Sequence, residues 1–181
     1  MRSRRLIVSA LVAVSLLTVA SSPSARAAST ADDYQRITVK KAGISMLVPR
    51  GWKVTKGNGP NGWFSATDES QRLVSVGPSP AYGSSLPSPA DVRAYLANLA
   101  RETGSPFESV VVKRTTVAKT PAVVQILVVS EKGPKLVTYF FQPRPGRVVA
   151  VGFGSRPAMH DDPEFDEMSD TMIRSVRLVP S

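Results

Sequence analysis

Apolar and polar residues alternate through much of this 181-residue chain, and a period of two marks a half-buried strand. RITVKK (36–41) and GISMLVP (43–49) come first, the second placing Ile44, Met46 and Val48 on one face. A Pro-Arg-Gly-Trp turn leads to WKVTK (52–56), and GWFSATD (62–68) and RLVSVG (72–77) follow, giving five short strands before residue 78. Residues 78–87 are rich in Pro, Ser and Gly, contain Tyr82 and Leu86 and carry neither period, so they read as a surface loop.

At Ser88 the period changes to 3.6. Ser88 can cap, Pro89 suits the first helical position and Asp91 opposes the helix dipole. Val92, Tyr95, Leu96 and Leu99 form one stripe, and Gly104 ends the helix. FESVVVKRTTVA, PAVVQILVVSE, KLVTYFFQP and GRVVAVGFGS fill residues 107–155, with breaks at Lys119-Thr120, Lys132-Gly133-Pro134 and Arg144-Pro145-Gly146. Connections this short cannot hold crossover helices, so the strands are expected to be antiparallel neighbours. Val123, Leu127 and Val129 point one way and Val124, Ile126 and Val128 the other, which demands cover on both faces. A last helix with an acidic cap and Pro163 lines up Phe165, Met168, Met172, Ile173 and Val176. The simplest architecture is α+β: a single central antiparallel sheet with amphipathic helices on both faces, an α/β/α sandwich in one domain over residues 36–181.

The first 27 residues have another purpose. Arg2, Arg4 and Arg5 precede an apolar run from Leu6 to Ala20 and a small-residue segment ending Ala25-Arg26-Ala27, the pattern of a cleaved secretory signal peptide. The run is shorter than the roughly 20 residues of a spanning helix, and no transmembrane segment is expected. Adjacent Arg4 and Arg5 resemble a twin-arginine signal, but without a cofactor motif that demands folding before export the general secretory route is preferred. Residues 28–35 read as a flexible lead. With no cysteine there is no disulfide, no cysteine metal site and no lipid-anchoring thiol.

Cleavage also changes the charge. Loss of Arg2, Arg4, Arg5 and Arg26 takes 23 basic residues to 19 against 14 acidic ones, net +5 rather than +9. The acids concentrate after residue 160, leaving a basic body suited to an anionic envelope polymer or lipid surface. Nucleic acid is not an expected partner, because no recognition motif accompanies the charge.

GISMLVPRGWKV, the aromatic strand GWFSATD, the mid-chain helix, the strand meander and the closing FDEMSDTMIRSVRL together resemble the PsbP-like α/β/α superfamily, and within it the LpqN-type exported proteins of actinobacteria. The resemblance covers essentially the whole chain after the leader, and its motifs are structural. It implies an exported, non-catalytic accessory or binding protein of the cell envelope. LpqN-type proteins are typically lipoproteins, and this chain lacks the lipobox cysteine, which points to release or loose retention.

Candidate chemistry is sparse. GNGPNG (Gly57 to Gly62) matches G-x-G-x-x-G, but a nucleotide loop needs a helix after its glycines, and WFSATD reads as a strand. A hairpin loop is expected. MHDDPE gathers His160, Asp161, Asp162 and Glu164, which capping of the last helix explains more simply than a metal. His160 is the single histidine, so an unrecognised secreted enzyme is expected to run through it. No G-x-S-x-G or S-x-x-K signature is present, and no catalytic residue, cofactor or metal is assigned. Lys53, Lys56, Trp63 and Tyr82 form the candidate binding set, basic and aromatic groups on one rim; Trp52 is expected in the core. An alternative is an interaction module that adds a partner strand to an exposed sheet edge.

Overall fold

The computed structural model describes residues 33–57, 63–104, 107–129, 133–155 and 162–180. The leader (1–27), most of the flexible lead, residues 58–62 of the glycine loop and the pair His160-Asp161 lie outside the described residues.

The chain begins with β1 (Tyr34–Val39), β2 (Ile44–Pro49), β3 (Lys53–Thr55), β4 (Phe64–Thr67) and β5 (Leu73–Pro78). Helix α1 (Pro89–Thr103) follows, then β6 (Ser109–Val117), β7 (Thr120–Val128), β8 (Lys135–Arg144) and β9 (Arg147–Gly154). Helix α2 (Pro163–Arg174) and β10 (Arg177–Leu178) complete it. Every pairing is antiparallel, in a seven-stranded sheet of order β3-β4-β5-β9-β8-β7-β6 and a three-stranded sheet of order β1-β2-β10.

The single central sheet expected from the pattern is therefore corrected to two. A strand has two edges, and those of β2 are taken by β1 and by β10, which pairs Arg177 with Ser45 and Leu178 with Ile44. The turn after Pro49, with Gly51 at φ 82°, then sends the chain into the larger sheet. The first strand also ends earlier than its pattern suggests, because Lys40–Ala42 forms a 3-10 turn closed by Gly43 at φ 69°. A Cβ there would lie 2.8 Å from Arg144 Nε.

Alternation sorts the meander's side chains into two apolar clusters. Val123, Leu127, Phe140 and Val148 pack with Val92 and Leu96 of α1. Their chain neighbours Val124, Phe141 and Val149 pack with Phe165, Met168, Met172 and Ile173 of α2, together with Ile44, Met46, Val48 and Trp52. Of the four stripe residues of α1, Val92 and Leu96 are buried and Tyr95 and Leu99 partly so. The Ser88 hydroxyl accepts from Asp91 N–H while the Asp91 carboxylate accepts from Ser88 N–H, a reciprocal cap, and Gly104 ends the helix at φ 65°.

Candidate functional site

A cleft of about 760 Å³ opens where the two sheets and the end of α2 converge. The tip of the β6–β7 hairpin forms one wall, with Thr115, Val117, Ala118 and Lys119. The last turn of α2 and the link to β10 supply Asp170, Ile173, Arg174, Val176 and Arg177; β1 and β2 add Arg36 and Leu47, and β8 adds Tyr139.

Hydrogen bonds fix this junction. Ser175 Oγ donates to Met172 O at 2.6 Å and accepts from Leu47 N–H at 2.7 Å, locking the helix end to β2. Arg36 Nη1 donates to Ser175 O at 3.1 Å, setting a cation on the C-cap carbonyl at the negative pole of α2. Arg174 pairs with Asp170 at 2.8 Å along the helix. Lys119 and Arg177 have no side-chain hydrogen bond or ion pair among the described residues. The hairpin tip holds Ala118 at φ 50° and Lys119 at φ 64°, a left-handed pair that usually calls for Asn or Gly.

The floor is apolar: Val117, Ile173 and Val176 are buried, and Leu47, Ala118 and Tyr139 pack partly buried against the same core. Burial raises the Tyr139 phenol above its ordinary pKa and the nearby Asp170 carboxylate adds to this, so it stays a neutral donor at physiological pH. Four cations face one carboxylate, a local net charge of +3. Such a cleft can bind and orient an anion.

The candidate set from the sequence is divided by the fold. Lys53, on edge strand β3, and Lys56 just beyond it are exposed. Trp63 is partly buried against the α2-side cluster, and the Arg147 guanidinium lies 5.7 Å from its ring centroid. Tyr82 belongs to the other cluster, edge-on to Tyr95 and Phe140 at centroid distances of 5.9 and 5.1 Å, with its hydroxyl buried and unpartnered among the described residues. Its hydroxyl thus faces the interior rather than a shared rim: the 78–87 loop folds back through a 3-10 turn at Pro80–Tyr82. Trp52 is buried in the core, as expected.

The glycine motif precedes β4, which pairs with β3 and β5; no helix begins at its end to cradle a phosphate. The Asp162 carboxylate caps α2 by accepting from Glu164 N–H at 3.0 Å. Glu164 pairs with Arg72 at 3.1 Å and Asp166 with Lys135 at 2.6 Å, so these acids hold the helix to the large sheet. No group of three metal-ligating side chains occurs among the described residues, and no helix there is long and apolar enough to cross a membrane. Sequence reading missed Arg36, Lys119, Arg174 and Arg177 as a group, because no spacing links residues that meet only through the β2–β10 pairing.

Neither a family model nor a curated protein matches the chain by sequence. Among solved structures, the solution structure of cyanobacterial PsbP from Synechocystis matches with a TM-score of 0.54 and 15% identity, covering 86% of this chain and 98% of that one. A Bacteroides thetaiotaomicron protein matches at TM-score 0.42 and 11% identity over 77% of this chain and 46% of its own. A Pseudomonas aeruginosa protein of unknown function gives 0.39 and 16% over 82% and 97%. With two α-helices and a large antiparallel sheet among the described residues, and this likeness to cyanobacterial PsbP, the chain has a PsbP-like fold.

Proposed function

We propose that this chain is a non-catalytic exported accessory or binding protein of a bacterial cell envelope, an LpqN-type member of the PsbP-like fold with helices on both faces of its large sheet, and that it binds through the cationic cleft. The observation that carries the reading is the cleft itself, where four cations and one carboxylate share an apolar floor. The secretory pattern of residues 1–27 and the net charge of +5 beyond it support a surface that meets anionic envelope components.

The test is co-sedimentation of the chain from Ala28 with isolated membranes and cell-wall polymer across a salt series. Binding is expected to fall with salt and to fail in Lys119→Glu/Arg177→Glu. Loss in Lys53→Glu/Lys56→Glu instead would move the site to the β3 edge, and no binding at any salt would refute the envelope reading.

A second reading has its own observation. Edge strand β6 leaves Val110 and Val111 40% and 44% exposed, which favours an interaction module that adds a partner strand. A partner retained at high salt and lost in Val111→Lys would select it.

A further inference from the structure

Resting on the reading of the cleft as the binding site, we infer that its ligand is a single-chain amphiphilic anion: one phosphate or carboxylate head on an apolar tail. The cations are not equivalent. Arg36 is committed to Ser175 O, whereas Arg174 pairs with Asp170 on the exposed face of α2. Lys119 and Arg177 are left without side-chain partners among the described residues. The Tyr139 hydroxyl likewise has no hydrogen-bond partner among them. Two cations and one neutral donor suit a head with several acceptor oxygens, since charge-assisted hydrogen bonds are the strong ones.

The floor distinguishes this ligand from a polyanion. A polymer with repeated charges needs a track of cations and gains nothing from buried apolar walls. Here the cations share one cleft with the partly exposed Leu47, Ala118 and Tyr139 ring, whose surface an apolar tail removes from water, over a floor of Val117, Ile173 and Val176 that is already buried. The volume of about 760 Å³ falls in the range of roughly 300–1,000 Å³ typical of small-molecule sites. The left-handed backbone at Ala118 and Lys119 places the lysine in the cleft lining at a conformation these residues do not favour.

Calorimetric titration of the chain from Ala28, which holds all the described fold, with decyl phosphate below its micellar concentration tests this. Inorganic phosphate and the uncharged decyl maltoside are the controls. The expected result is an affinity for decyl phosphate roughly tenfold or more above either control, lost in Lys119→Glu/Arg177→Glu and weakened in Tyr139→Phe, with circular dichroism showing the variants folded. Equal binding of inorganic phosphate, equal binding of decyl maltoside, or binding to phosphatidic acid vesicles without binding to decyl phosphate would each overturn the inference. Failure here with salt-sensitive envelope binding intact would remove the ligand class and leave the envelope reading standing. Decyl phosphate binding without any envelope binding would do the reverse.

Discussion

Tyr82→Phe removes one atom, and its consequence is worked from the surroundings of that atom. The Tyr82 hydroxyl is buried with no hydrogen-bond partner among the described residues, while its ring sits edge-on to Tyr95 and Phe140. An unsatisfied buried polar group costs about 1–3 kcal/mol, and phenylalanine keeps the ring contacts. The variant is therefore expected to be more stable by about 1 kcal/mol, a rise in Tm of about 2–4 °C for a domain of this size. The pH dependence has a definite sign. Burial, aided by Tyr95 and Asp91, raises the folded-state pKa of Tyr82 above its ordinary value of 10.0. Below pH 10 both states hold the proton and stability is complete; as pH rises from about 10 towards the folded-state pKa, the unfolded chain ionises first and stability is lost. Tyr82→Phe should flatten part of that alkaline loss, with Tyr139, also raised by burial, supplying the remainder. Urea unfolding at pH 7 and at steps above pH 9 measures both effects. A variant less stable at pH 7, with an unchanged alkaline slope, would mean that the hydroxyl is satisfied in solution and would refute the reasoning.

Phe165→Ala, which empties a fully buried position where α2 meets the large sheet, should cost about 3–5 kcal/mol by urea unfolding. Ser88→Ala breaks the reciprocal cap of α1 and should cost about 1 kcal/mol, with faster amide exchange in the first turn. Gly43→Ala combines a positive φ with a Cβ only 2.8 Å from Arg144 Nε and should cost about 1–2 kcal/mol; wild-type stability would show that the turn relaxes freely. Ala118→Gly relieves a left-handed residue at the hairpin tip and should raise the urea midpoint or leave it unchanged, since the greater freedom of the unfolded chain opposes the gain.

Much of the fold is legible because its instructions are local. Ser88, Asp91 and Gly104 mark both ends of α1 by direct capping, and Asp162 begins α2 in the same way. The doubly apolar β7 announces two clusters because each side chain of a strand must be covered on its own face. The second sheet is not legible. Nothing in Arg177-Leu178 says that two residues will close the far edge of β2, and strand pattern carries no information about which edges meet. Tyr82 misleads for a related reason: the composition of 78–87 is that of a loop, yet one aromatic anchors it between Tyr95 and Phe140. The cleft is hidden most completely, since its walls come from residues near 36, 118, 139 and 175.

The bond from Arg36 to Ser175 spans 139 residues. It ties the first described strand to the end of the last helix, and β10 then closes on β2. A cleft built from residues near 36 and near 175 does not exist until both have been made and folded together. Its appearance reports that the chain has been made through β10 and has folded. If the chain is exported unfolded and binds through this cleft, as proposed, ligand capture is timed by topology: no cargo can be taken up before the crossing is complete.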